Sequence, residues 1–205
     1  MKKFLRSVFS FVMVACLFSV QAGSVLAQEA DSKAHVQFSK ELLEEMSRLS
    51  EVNPVGPKKP RVEYHLSNGY KVVKTYSEKP IKQPRGITQY ADSVSSKTML
   101  EYTEQIWIGG LNVAQFRGGW NVILYRDESG VTIDSWDYFT VNLRGQGSYS
   151  KSEKPDIKRA SGTMRSPAIA RSYVTFTTNF YQSDVIWEVK ISPDKSISTR
   201  LIESP

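Results

Sequence analysis

From Thr98 to Leu201 apolar and polar residues alternate in run after run, and this period of two constrains the fold more than any other feature of the chain. Leu100, Tyr102, Ile106 and Ile108 alternate with Glu101, Thr103, Gln105 and Trp107. Trp120, Val122 and Leu124 alternate with Asn121, Ile123 and Tyr125. Val131, Ile133, Phe139, Val141 and Leu143 share one parity, against Thr132, Asp134, Tyr138, Thr140 and Asn142 on the other. Val174, Phe176 and Phe180 form a further run, as do Val185, Trp187, Val189 and Ile191, and then Ile197, Thr199 and Leu201. Successive side chains of a strand point to opposite faces, so each run reads as a strand with one face toward a core. Turn sequences such as "RDESG" and "SPDKS" separate the runs, and no helical pattern lies between them. The expectation is a mainly β protein, an antiparallel β-sandwich or small closed barrel of about 8–10 strands.

Upstream, "RVEYHLSNGYKVVKTYS" alternates on both sides of Asn68-Gly69. Asn-Gly is the preferred pair for a two-residue type I′ turn, because both positions need positive φ. Arg61–Leu66 is therefore expected to pair antiparallel with Tyr70–Tyr76, and "EKPIKQPRG" to follow as a loop. Before the hairpin, Val36, Leu42, Leu43, Met46 and Leu49 recur at helical spacing opposite Lys40, Glu44, Glu45 and Arg48. This predicts one amphipathic helix, with Ser39 as N-cap of its stronger half. "NPVGPKKP" then forbids both helix and strand. The chain divides into residues 1–27 as a signal peptide and 28–52 as a short tail and helix. Residues 53–60 form a Pro-rich linker, and 61–205 a single antiparallel β domain.

The signal reading rests on Lys2, Lys3 and Arg6, then the uncharged apolar run Ser7–Val20, then Val25-Leu26-Ala27 as a cleavage site. It implies export from a bacterial cell and a secreted or envelope-associated protein. The alternative is a lipoprotein anchored at Cys16, but the apolar run continues past that residue through Leu17, Phe18 and Val20. With Cys16 removed the remaining chain has no cysteine, which excludes disulfides, thiolate metal sites and a cysteine nucleophile.

Two glycine pairs, Gly109-Gly110 and Gly118-Gly119, lie among these runs. A phosphate loop needs glycines between a strand and a helix N-terminus. Here strand-like runs follow each pair, so both read as tight turns or bulges joining three strands in a meander.

Motifs that carry chemistry are few. No G-x-S-x-G elbow surrounds a serine, His35 and His65 stand apart, and no metal-ligand spacing or cofactor motif occurs. Glu101, Asp134 and Asp137 fall on predicted strands and could serve a small carbohydrate-active hydrolase as paired carboxylates. Trp107, Trp120 and Trp136 could line a sugar-binding face on the same strands, in such an enzyme or in a non-catalytic sugar-binding module. Without Lys2, Lys3 and Arg6, 24 basic residues face 21 acidic ones, and the excess gathers in Arg144–Ser172, with seven basic and two acidic residues, where Gly145–Gly162 reads as an irregular, polar and basic stretch between strands. Lys151, Lys154, Lys158 and Arg159 are its candidate binding residues. The plausible partners of an exported protein are an anionic wall polymer, a glycan or another protein, and nucleic acid is out of reach. The leading expectation is a non-catalytic binding module. The alternatives are the hydrolase and a lipocalin-like barrel with an apolar ligand.

Overall fold

A computed structural model describes residues 38–81, 94–144, 148–151, 156–177 and 182–204. Residues 1–27, expected to be a signal peptide, with Cys16 among them, and also His35, Val36, Lys154 and Phe180 lie outside the described residues. So does most of the proline-bearing loop after Pro80. Within them, one α-helix, α1 (Lys40–Val52), precedes strands β1 (Arg61–His65), β2 (Lys71–Pro80), β3 (Val94–Ile108), β4 (Leu111–Tyr125) and β5 (Val131–Leu143), with a single 3-10 turn at Arg126–Glu128 between the last two. Then come β6 (Ser148–Lys151), β7 (Asp156–Arg159), β8 (Ser161–Gly162), β9 (Ala168–Thr177), β10 (Gln182–Ile191) and β11 (Ile197–Glu203). The strands form two antiparallel sheets, as the alternation predicts: a six-stranded one ordered β1-β2-β3-β4-β5-β8 and a second ordered β11-β10-β9-β6, with β7 also on β9. The antiparallel sheets include a curled half-barrel.

The helix begins where the sequence places it. Ser39 caps it, its side chain accepting from the Leu42 N–H at 3.3 Å, and Leu42, Leu43 and Met46 are buried. α1 lies along β11, the edge of the second sheet. There the Ser47 hydroxyl accepts from the Leu201 N–H and donates to the Leu201 carbonyl, both at 3.0 Å. Ser50 Oγ accepts from the Thr199 N–H at 3.0 Å. The helix thus meets, with hydroxyls, backbone groups that a further strand would otherwise pair, one of the ways an edge is protected. On its other side Glu45 accepts from the N–H and hydroxyl of Ser67 in the β1–β2 turn.

Three sequence expectations change in detail. The β1–β2 hairpin forms in the expected register, but Leu66 and Tyr70 close it, leaving a three-residue loop. Gly69 has φ +84° while Asn68 keeps a negative φ, so the loop is not the two-residue type I′ turn. That turn occurs at Gly109-Gly110 instead, where both residues have positive φ (55° and 82°) between Ile108 and Leu111. Gly118-Gly119 joins no strands: it lies in the middle of β4, a single 15-residue strand. And the charged stretch expected to be irregular from Gly145 to Gly162 carries the short strands β6, β7 and β8, two of them lining the edge of β9.

The core lies between the sheets and is dominated by rings. Trp187 of β10 sits at its centre, with ring centroids of Tyr102, Phe116, Trp120, Trp136 and Phe139 within 4.9–6.4 Å. Phe38, just ahead of α1, stacks on Phe176 at 4.4 Å and joins the helix to this cluster. Each such pair adds about 0.5–1.5 kcal/mol beyond its burial.

Candidate functional site

The outer face of the six-stranded sheet carries an ordered polar array around Glu101. Its carboxylate accepts from Ser77 Oγ at 3.0 Å and Tyr138 OH at 2.9 Å, and it pairs with Lys79 Nζ at 3.0 Å and Arg117 Nη2 at 3.4 Å. Four strands contribute: β2 gives Ser77 and Lys79, β3 gives Glu101, β4 gives Arg117 and β5 gives Tyr138. The register explains the convergence, since Ser77 and Gly119 both lie opposite Glu101, and Tyr138 lies opposite Gly119. A Cβ at Gly119 would come within 2.6 Å of the Tyr138 ring, so the glycine is the floor on which that ring rests. The Arg117 guanidinium lies 5.1 Å from the same ring's centroid, within cation–π range.

Burial pushes the Glu101 carboxyl up, but hydrogen bonds from Lys79, Tyr138 and Ser77 outweigh it and hold the group below the ordinary carboxylate range. Burial, then the hydrogen bond to Glu101 and the Glu101 charge, push the Tyr138 hydroxyl up to about 12. At neutral pH the array therefore holds an ionised acid and a protonated phenol. Lys79 and Arg117 remain 64% and 47% exposed, so both keep donors free for a ligand.

The other two candidate carboxylates do not join Glu101 in a groove. Two register shifts between β4 and β5 leave Asp134 and Asp137 as the extra residues of two bulges. Both are exposed, and Asp134 pairs with Lys97 at 3.2 Å. His65 is also exposed. Among the described residues no group of three or more His, Cys, Asp or Glu could hold a metal ion. No described helix is long and apolar enough to cross a membrane.

The three tryptophans proposed for a sugar face separate. Trp120 is fully buried in the core, which removes it from any surface. Trp136 is half-buried and turned inward, its ring 5.0 Å from that of Trp120. Trp107 alone lies on the outer face, half-buried, with Lys71 Nζ 5.5 Å from its ring centroid. Of the basic candidates, Lys158 is exposed and paired with Asp156 at 2.5 Å. Arg159 donates to Ser166 Oγ at 2.6 Å and to the Pro167 carbonyl at 3.2 Å, bracing the turn before β9. Lys151 belongs to β6, with its side chain outside the described residues, as is all of Lys154.

A second polar centre lies inside the protein. Lys74 and Glu104 face each other across β2 and β3 on the core side, 0% and 1% exposed. Lys74 Nζ donates to the Ser50 hydroxyl at 2.9 Å and to the Ser50 and Asn53 carbonyls at 3.3 and 2.8 Å. Glu104 accepts from Thr199 Oγ1 at 2.9 Å, Tyr102 OH at 3.1 Å and Trp187 Nε1 at 3.4 Å. Ser50 and Thr199, 2.9 Å apart, join the two halves. Burial, only partly offset by Glu104, brings the Lys74 ammonium down to about 8. Sequence reasoning passed over this pair, although a signal existed. Both residues occupy the apolar parity of their strands, Lys74 between Val72 and Tyr76, and Glu104 between Tyr102 and Ile106.

Fold and site together define a helix-capped antiparallel β protein with a packed aromatic core and a charged outer sheet face. No protein-family model, no curated relative and no solved structure matches the chain.

Proposed function

We propose that the protein is an exported, non-catalytic binding domain that acts at or outside the bacterial envelope. Its binding face is the outer surface of the six-stranded sheet, and its ligand class is an anionic glycan polymer. The observation that carries this reading is the Glu101 array, in which one carboxylate fixes a lysine, an arginine and a tyrosine side by side on an exposed face. Side chains ordered in advance lose little entropy when a ligand arrives. Arg117 and Lys79 offer donors to a carboxylate or phosphate, and Glu101 accepts the hydrogen bonds that neighbouring sugar hydroxyls make. Hydrolysis by paired carboxylates finds less support, since the one acid of the three that is well enclosed is held ionised, whereas a general acid needs a raised value. The aromatic rings that would line a lipocalin-like cavity pack against one another instead. Export rests on the basic start, the apolar run and the Ala27 cleavage site, and N-terminal sequencing of protein from culture medium or wall fractions should begin at Gln28.

Binding is tested by sedimenting purified protein with isolated envelope polymer at low and high salt. Screening over about 8–10 Å near physiological ionic strength makes binding weaken as salt rises. Replacing Lys79 and Arg117 by Gln, which still donates to Glu101, should reduce binding roughly tenfold or more while the protein stays folded. Reversal of Lys151, Lys154, Lys158 and Arg159 to Glu is the comparison. Loss with this variant alone would move the site to the basic segment. Equal binding by parent and both variants would sink the anionic-ligand reading itself.

A further inference from the structure

We propose that α1 is a strap whose hold on the β domain is set by the protonation of Lys74. The geometry points to this because the lysine is enclosed by the strap itself. Its ammonium is fully buried and reaches two carbonyls and a hydroxyl of the helix C-terminal turn, at Ser50 and Asn53. Carbonyls at a helix C-terminus attract a cation. Removing a lysine from water nonetheless costs more than such contacts return, unless a counter-charge touches it. Glu104 is the acid whose charge acts on it, and its carboxylate is engaged with Thr199, Tyr102 and Trp187, joined to Lys74 through the hydroxyls of Thr199 and Ser50.

The charged and titratable groups around Lys74 are few. Glu104 of β3 favours its protonated form, and Lys59 of the linker opposes it. The rings of Tyr102 and Tyr64 stand with centroids 6.0 Å from the ammonium, and both phenols are pushed above their ordinary range by burial, so they stay neutral. Tyr64 OH is buried and has no hydrogen-bond partner among the described residues.

The direction of the effect follows from linkage. Closed, Lys74 titrates near 8; with α1 lifted it is solvated and titrates near the ordinary lysine value of about 10.4. Between those values the closed form binds fewer protons, so closure strengthens as pH rises through the window and levels off on either side. At neutral pH the strap is at its weaker setting. Beneath it lies the β11 edge, whose Thr199 and Leu201 backbone groups are held by the Ser50 and Ser47 hydroxyls.

Hydrogen exchange on the full chain tests this, read as protection factors so that base catalysis of exchange is divided out. The Thr199 and Leu201 amides report the strap, and the Phe116 amide, inside β4 with a strand on each side, reports global unfolding. Thr199 and Leu201 should open more readily than Phe116 near pH 7. Their opening constant should fall by up to about tenfold per pH unit between about 8 and 10. Lys74→Arg stays charged throughout, and its profile should be flat. Protection of Thr199 and Leu201 equal to that of Phe116 at every pH would overturn the strap, and an unchanged slope in Lys74→Arg would overturn the role of Lys74. If the arginine variant does not fold, the NMR titration of Lys74 Cε decides: a midpoint at the ordinary lysine value refutes the proposal.

Discussion

Gly118→Ala adds one methyl group to the middle of β4, where two tryptophan rings already press on the backbone. A Cβ there would lie 2.7 and 2.8 Å from two atoms of the Trp120 ring and 3.1 Å from the Trp187 ring. Gly118 is not in the positive-φ region, so backbone strain plays no part, and on conformational entropy alone alanine would stabilise by about 0.4–1 kcal/mol. Opposing this is overpacking, at about 1–3 kcal/mol. Overpacking wins because neither ring has room to yield: both tryptophans are 0% exposed and pack on each other and on Trp136. The net expectation is a loss of about 1–2 kcal/mol, or roughly 2–8 °C in Tm for a domain of this size. The assay is thermal unfolding, with near-ultraviolet circular dichroism to follow the tryptophans. Gly119→Ala is the contrast, because its Cβ meets only the edge of Tyr138, which lies on the outer face and can swing away. It should lose less stability but should disturb the Glu101 array. A Gly118→Ala protein as stable as the parent, with an unchanged aromatic spectrum, would refute the reasoning that the glycine exists to admit the two rings.

Two further outcomes follow from the same geometry. The depressed Glu101 carboxyl contributes stability that is present above the ordinary carboxylate range and is lost as pH falls through its lowered value, so Glu101→Gln should flatten the acid limb of a stability–pH curve measured by urea unfolding. Gly69, at φ +84° in the β1–β2 loop, should tolerate valine poorly, with a loss of about 1–2 kcal/mol in thermal melts, and an unchanged Tm would contradict the observed turn.

The elements that the sequence reveals are those in which local chemistry and tertiary position agree. β3, β4, β9, β10 and β11 have one buried face, so burial writes itself as alternation. The helix is legible for the same reason, with a capping serine as its start. β6 to β8 are not, because short strands at sheet edges are kept from pairing with other molecules by charge, and charge erases the apolar period. A lysine-rich stretch thus looks like a loop and is a pair of edge strands. The same rule alters the reading of Lys158 and Arg159: one is neutralised by Asp156, and the other braces a turn.

Trp136 shows a different limit. Val131, Ile133, Phe139 and Val141 are buried at odd positions, and by that parity Trp136 belongs outside with Tyr138. Yet its ring rests against Trp120, Phe139 and Trp187. The reason is that each bulge adds one residue and reverses the facing of everything after it. The bulge at Asp134 turns Trp136 inward, and the bulge at Asp137 restores the original phase before Phe139. Two reversals cancel, so the parity of the strand looks unbroken from end to end while its middle is inverted. The acids are the outward sign: Asp134 and Asp137 occupy the two unpaired positions, where a charged side chain stays in water. A pair of acids three apart, flanking one tryptophan, therefore reads here as a double bulge before it reads as a catalytic pair. The Glu101 array depends on this phasing, because only after the second reversal does Tyr138 point outward, over Gly119, to reach the carboxylate.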